Sequence, residues 1–287
     1  MDTFQAIILG LVQGLTEFLP VSSSGHLAIV PWLFNWEPTP LAFDAALHLG
    51  TLLAVVVYFR RELWRMVVAI PVAVRHLGKI LRGETVDDPL APDARLGVLI
   101  AIGCIPGGVA GLLFQNRIDE IFHNPAHQDR AMLIIAGLLS VFALILWQAD
   151  RMGRQNRDMT DLKIRDSVFV GVAQAIALLP GTSRSGVTLS AGLFRGLNRA
   201  DAARFSFLLG FPLILAAGLT GLSDLTASDS GIAGQTILIG IAVSAVSGLF
   251  AISWLIKLLQ RSPTTGFVIY RLGLAAVIVL LIVSGVR

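Results

Sequence analysis

Two short segments break a chain that is otherwise apolar enough for lipid, and they limit how it can fold. The first reads Gln13-Gly-Leu-Thr-Glu17-Phe-Leu-Pro20-Val-Ser22-Ser23-Ser24-Gly25-His26. A carboxylate at membrane depth costs a few kcal/mol or more. Pro20 and the Ser-Ser-Ser-Gly run free backbone groups that need partners in protein or trapped water. A membrane helix kinked at Pro20 is one way to thread this segment, and a re-entrant hairpin is another. From Ala6 to Leu19 a helix climbs only roughly 21 Å, short of the roughly 30 Å hydrocarbon core, which favours the hairpin. Its turn at residues 20–25 would point loose N–H groups, hydroxyls and an imidazole into a cavity.

The second segment reads Gln174-Ala-Ile-Ala-Leu-Leu-Pro180-Gly181-Thr182-Ser183-Arg184-Ser185-Gly186. Gln13 matches Gln174 and Ser24-Gly25 matches Ser185-Gly186, while Pro20 and Pro180 are one residue out of step. The copies differ in chemistry: Glu17 and His26 have apolar counterparts in the second, which adds Arg184. Two broken, polar segments at corresponding places in two halves point to a midplane site in an inverted-repeat membrane protein.

Composition supports that class. The chain has 287 residues, of which 55% are hydrophobic and 14% charged, with a mean hydropathy of +0.76, far too apolar for a soluble domain. The start, Met-Asp-Thr-Phe, lacks the basic region of a cleaved signal peptide, so no processing is expected. Cys104 stands alone in an apolar run, which excludes an internal disulfide and reads as a small core residue. The pI of about 9.5 raises nucleic acid as a partner, but membrane topology accounts for the basic excess and no nucleic acid is expected.

Apolar runs at about 41–59, 95–114, 131–149, 203–222, 235–257 and 266–286 are expected to span. Residues 62–93, punctuated by Arg65, Pro71, Arg75 and Lys79, suit an interfacial helix and a loop. Lys and Arg gather on the cytoplasmic side. Segments 60–95, 151–165, 195–204 and 257–271 carry eighteen of the 22, and Arg184 alone is left at membrane depth. That distribution fits a second hairpin over 167–194 opening from the cytoplasm. The expected fold is therefore an all-α polytopic membrane protein in one domain, 1–287, built as an inverted repeat. Each half, about 1–149 and 167–287, is a re-entrant hairpin plus three transmembrane helices, joined by a cytoplasmic connector at 150–166. Val109-Ala-Gly111 against Val246-Ser-Gly248 places the third element of each half in register, whereas Arg95-Leu-Gly97 against Arg271-Leu-Gly273 breaks the inversion and reads as coincidence.

If the hairpin tips meet, one cavity gathers Glu17, Ser22, Ser23, Ser24, His26, Thr182, Ser183, Arg184 and Ser185. These groups suit phosphate: Arg184 offers planar paired donors, and loop amides at 21–25 and 181–186 add an anion site. Glu17 would repel phosphate directly, so it is either a ligand to a divalent cation or the ion-pair partner of Arg184. Ser23 is a candidate nucleophile with His26 as proton carrier. Duller readings stand beside these, with the serines as helix caps and His26 as a backbone-bonded core residue. Asp44 reads as the cap of the 41–59 span and His48 as a packing residue. His76, His123 and His127 read as solvated.

These motifs, in this order and separation, resemble those of the bacitracin-resistance-type undecaprenyl-diphosphate phosphatases, bacterial membrane enzymes that recycle the lipid carrier of cell-wall synthesis. The resemblance covers essentially the whole chain, including Phe43-Asp44 and Leu49-Gly50. It implies hydrolysis of the C55 isoprenoid diphosphate to its monophosphate, a divalent cation, Mg or Ca, and a multi-pass protein of the cytoplasmic (inner) membrane whose active site opens to the outer face. The family's acidic motif falls on Gln13 and Glu17, its serine-histidine motif on Ser22, Ser23, Ser24, Gly25 and His26, and its arginine motif on residues 181–186. Gln13 replaces a carboxylate found in many relatives, making it the weaker metal ligand. Family mechanisms differ over whether serine, histidine or water attacks. A transporter or flippase of a phosphorylated isoprenoid lipid is the alternative, since inverted repeats with broken helices are also a transporter architecture. Membrane lipid is an expected partner, and a homodimer is compatible with such a chain.

Overall fold

A computed structural model describes residues 1–37, 39–122, 128–227 and 232–285; His123 and His127 lie outside them. The described residues form α-helices without a strand. In chain order these are α1 (Thr3–Phe18), α2 (Ser23–Leu33), α3 (Leu41–Tyr58), α4 (Arg60–Val68), α5 (Ile70–Arg75), α6 (Leu77–Arg82), α7 (Ala91–Phe122), α8 (Gln128–Met152), α9 (Ile164–Ile176), α10 (Arg184–Phe194), α11 (Arg199–Ala227), α12 (Gly234–Leu259) and α13 (Thr265–Val283). Six of them, α3, α7, α8, α11, α12 and α13, are long and apolar enough to cross a membrane. They coincide with the six runs expected from sequence, and the chain is a multi-pass membrane protein.

The polar segments break as hairpins. α1 ends at Phe18, α2 begins at Ser23, and the two pack against each other; α9 and α10 do the same around residues 177–183. At 1.5 Å per residue the longest of these four reaches only about 24 Å, too short to span. α7 exceeds its expected length because the helix continues past the apolar run through Gln115, Arg117, Asp119 and Glu120. The stretch expected as one interfacial helix is three short helices, α4 to α6. Pro71 at the start of α5 cannot donate to the preceding turn, and the chain breaks at Ala69.

Glycine sets how closely the hairpins approach the spans. α1 packs along α12 where Gly10 meets the Gly240 backbone, and α9 packs along α7 where Gly171 meets the Gly103 backbone. Without side chains the two backbones come close enough that a Cβ on Gly171 would collide with the Gly103 carbonyl oxygen. These pairings share the register read from Val109 and Val246, since Gly103 stands to Val109 as Gly240 stands to Val246.

Carboxylates pin the connector. Asp150 accepts from Arg199, from the Thr264 amide at 2.8 Å and from Thr264 Oγ1 at 3.1 Å. Asp166 takes Arg157 Nη2 and Arg195 Nε, each at 2.6 Å. Burial favours its neutral acid, but those arginines and the Lys163 amide hold it below the usual carboxylate range.

Gly171→Val should lower the unfolding midpoint in detergent, because forcing α9 off α7 costs about 1–3 kcal/mol. The same change at Gly137, where a Cβ meets nothing within 4 Å, should leave the midpoint unchanged. Equal midpoints for the two variants would discount the close approach.

Candidate active site at the meeting of two hairpin tips

Each broken helix restarts on a serine held in the left-handed region. Ser22 has φ 78° and ψ 96°, and Ser183 has φ 71° and ψ 107°. A non-glycine residue there costs on the order of 1–3 kcal/mol. Both repay it as N-caps: Ser22 Oγ accepts from the Gly25 amide at 3.3 Å, and Ser183 Oγ from the Gly186 amide at 3.2 Å. The tips are thus one structure used twice, and they touch. The Gly181 amide donates to Ser22 Oγ at 3.1 Å, and Ser185 Oγ donates to the Leu19 carbonyl at 2.9 Å. Gly181, at φ 97°, also lets the second tip lie close against α8, since a Cβ would stand 2.8 Å from the Ile135 carbonyl oxygen.

One arginine satisfies the carbonyls that both turns release. Arg271 of α13 has 0% exposure and donates to Pro20 O at 3.2 Å, Gly181 O at 2.9 Å, Thr182 O at 3.0 Å and Leu139 O at 3.2 Å. The distribution of basic residues groups Arg271 with a cytoplasmic segment; its side chain is instead buried in the core, about 9 Å along α13 from Thr265. An ionisable residue within an apolar span was the available signal.

At the junction the residues following the two caps converge on Glu17. Its side chain is nearly buried. Oε1 accepts from Arg184 Nη2 at 2.7 Å, and Oε2 accepts from Ser23 Oγ at 2.6 Å and Gln13 Nε2 at 3.1 Å. Ser23 and Arg184 are each the first residue of a restarted helix, so equivalent positions of the two hairpins meet on one carboxylate. Helix geometry leaves the first amides of α2 and α10 without intrahelical partners, which favours an anion. Arg184 fits because α11 carries Gly210 opposite it; a Cβ at Gly210 would overlap Nη1.

The other expected residues fall nearby with different bonds. Ser24 is exposed and stands 3.5 Å from Ser22 Oγ, Thr182 Oγ1 donates to the Leu179 carbonyl at 2.7 Å, and Ser183 Oγ lies 3.2 Å from Ser185 Oγ. His26 is buried beside the first tip, but its nitrogens are engaged away from Ser23. Nδ1 is 2.7 Å from the Ser22 carbonyl, which only accepts, so Nδ1 donates and Nε2 accepts from Tyr270 OH at 2.7 Å. The base in contact with Ser23 is therefore Glu17.

Sequence reading also missed Tyr270, Gly210 and His48. His48 Nε2 faces Glu17 Oε2 at 3.7 Å rather than simply packing. Asp44 does not cap α3, which starts after Pro40 without a side-chain cap; its carboxylate accepts from Thr39 Oγ1 at 3.0 Å. Among the described residues no three His, Cys, Asp or Glu side chains converge as a metal cluster. A hard divalent cation bound with substrate phosphate needs only one or two carboxylates. Glu17 and the buried Gln13 Oε1, which has no hydrogen-bond partner, are donors of that kind.

A buried carboxylate, a serine hydroxyl and an arginine, brought together by two broken helices inside a multi-pass protein, define a membrane-embedded site for an anionic group. The family model described as Bacitracin resistance protein BacA matches residues 6–277, and the chain belongs to that family. Similar proteins include "Undecaprenyl-diphosphatase" of Thermomicrobium roseum, 44% identical over 100% of both chains. "Undecaprenyl-diphosphatase 2" of Stutzerimonas stutzeri is 46% identical over 100% of both. "Undecaprenyl-diphosphatase" of Moorella thermoacetica is 42% identical over 97% of both.

Replacing Arg271 with Met keeps much of its bulk and removes its donors, leaving tip carbonyls unsatisfied at about 1–3 kcal/mol per group. The variant should unfold at a markedly lower temperature in detergent, and a midpoint matching wild type would contradict this bonding role.

Proposed function

We propose that this protein hydrolyses undecaprenyl diphosphate to undecaprenyl phosphate and inorganic phosphate, where its two hairpin tips meet. The observation that carries this reading is the shared carboxylate: Glu17 holds the Ser23 hydroxyl by one oxygen and the Arg184 guanidinium by the other. The chain's membership of its family and the names of its relatives point the same way.

In the reaction proposed, Ser23 Oγ attacks the terminal phosphorus while its proton passes to Glu17 Oε2. The bond from that phosphorus to the bridging oxygen breaks, and undecaprenyl phosphate leaves carrying the bond's electron pair. Water then attacks the phosphoserine and its P–Oγ bond breaks; Glu17 returns its proton to Ser23 Oγ, and both protons of the water leave with the inorganic phosphate as H2PO4⁻. Arg184 stabilises the charge on the phosphoryl oxygens, with the amides at the starts of α2 and α10 around it. His26 and Tyr270 brace the first tip. A divalent cation, Mg or Ca, held by Glu17 and Gln13 Oε1 would neutralise substrate phosphate charge when bound.

The same reading makes halves 1–149 and 167–287 inverted repeats, embedded in the bacterial cytoplasmic membrane with the site opening outward. Its support is the lysine and arginine distribution and the matched contacts of α1 with α12 and α9 with α7. Membrane lipid is then both solvent and source of substrate.

Arg184→Lys should lower phosphate release from a long-chain prenyl diphosphate by about a hundredfold, because an ammonium cannot reproduce a planar paired grip. Gly210→Ala should impair turnover comparably without touching substrate, by evicting the Arg184 guanidinium. Near wild-type turnover in both would sink the role of Arg184. Acid quenching during turnover should trap phosphate on Ser23, and Ser23→Ala with full activity would instead assign the attack to water.

A further inference from the structure

Among the described residues, His48 aims a ring nitrogen at the reacting carboxylate, and the proposed reaction leaves it unused. It lies on α3, one turn beyond Asp44, and its side chain is 24% exposed. Nδ1 stands 3.0 Å from the Asp44 carbonyl oxygen. That oxygen has no hydrogen to give, so Nδ1 carries a ring proton and Nε2 is the nitrogen left facing outward, free to ligate a cation once it carries no proton. Nε2 faces Glu17 Oε2 at 3.7 Å, too far for a direct hydrogen bond.

The anchoring is that of a metal-binding histidine, in which one ring N–H is spent on a backbone carbonyl to fix the tautomer and aim the other nitrogen. Two ligands about 2.1 Å from a common ion stand roughly 3.0 Å apart at an octahedral angle and roughly 3.4 Å at a tetrahedral one, so Nε2 and Oε2, at 3.7 Å, need close by only a few tenths of an ångström. A second, independent observation lies beside them. Gln13 has 0% exposure and its Oε1 has no hydrogen-bond partner, while its Nε2 lies 3.1 Å from the same Glu17 Oε2. A half-turn of that amide exchanges the two atoms and puts the orphan oxygen where Nε2 now stands. Gln13, Glu17 and His48 then present two oxygens and one nitrogen to one point.

We propose that His48 is the third protein ligand of the divalent cation, with Glu17 and Gln13, and that its imidazole shifts the site's preference from Mg and Ca toward later first-row cations. This rests on the cation reading given above. Oxygen ligands alone suit Mg, Ca and Mn, whereas imidazole favours Co, Ni and Zn. Substrate phosphate oxygens and water complete the shell.

Mn(II) added to the purified protein in detergent serves as probe. Electron spin-echo spectra of wild type should carry modulation from a coordinated nitrogen. His48→Gln should abolish it while Mn(II) still binds, and His26→Gln should retain it. Displacement of Mn(II) should show the ratio of Co(II) to Mg(II) affinity falling about tenfold or more in His48→Gln. The side chain makes a single hydrogen bond within its own helix, so an unchanged unfolding midpoint checks that the variant folds. Bound Mn(II) without nitrogen modulation in wild type, but lost in Glu17→Gln, would overturn the role of His48 and leave the cation reading standing. Mn(II) affinity unaffected by Glu17→Gln would overturn both.

Discussion

Wherever a helix stops inside a membrane its last carbonyls need donors, and in this protein a single guanidinium meets that need for both hairpins. Arg271 reaches Pro20 on the first tip, Gly181 and Thr182 on the second and Leu139 on α8. Its bonds all go to carbonyls, so its positive charge is solvated by peptide dipoles rather than cancelled by a carboxylate. Around the tips Glu17 offsets Arg184 and leaves Arg271 in excess. A net positive charge in a low-dielectric setting attracts anions strongly. The feature that lets two broken helices exist at this depth therefore also disposes their junction toward phosphate.

Repetition builds the site and divergence gives it chemistry. Both tips use a serine cap in nearly the same backbone conformation, and the following residue projects toward the junction. In the first hairpin that residue is Ser23, a potential nucleophile; in the second it is Arg184, a charge. Glu17, the acceptor they share, has Leu178 as its counterpart, and His26 has Val187. Two equal copies would have paired two arginines or two serines. Gln13 and Gln174 were kept in both, and each retains buried amide atoms without partners, but only Gln13 lies against a carboxylate.

What was legible in the sequence was whatever depends on local pattern. Hydropathy located the spans, Pro20 and Pro180 with their serines and glycines located the breaks, and Val109 against Val246 gave a register that the Gly10–Gly240 and Gly171–Gly103 approaches share. What was not legible depends on contacts made at long range. Arg271 was read as one more cytoplasmic cation because it closes a basic segment, and nothing local says its helix has already entered the core. Gly210 looks like any small residue of a span until Arg184 arrives opposite. His48 and Asp44 were assigned from their own turn of helix, whereas the partner of His48 lies on α1 and that of Asp44 precedes its helix. The proton partner of Ser23 was assigned to His26 by nearness in sequence. A tight turn instead directs the imidazole to Tyr270, 244 residues away, and gives the hydroxyl to Glu17.

The bonds across the junction also bear on whether such a site hydrolyses or carries. A carrier with this architecture works by rocking one repeat against the other about a shared midplane site. Here that motion would break the Arg184 to Glu17 pair, the Gly181 to Ser22 and Ser185 to Leu19 bonds, and the reach of Arg271 to both tips, in every cycle. Breaking a buried pair alone costs about 3–5 kcal/mol, because it strands a charge. Hydrolysis asks the opposite of the same contacts, since an attacking oxygen must be held within roughly 3.5 Å of its target and the stabilising donors must already be in place. A junction in which each hairpin caps, charges and positions the other is suited to holding still while a phosphate is cut, and the substrate, already dissolved in the surrounding lipid, is the component left free to move.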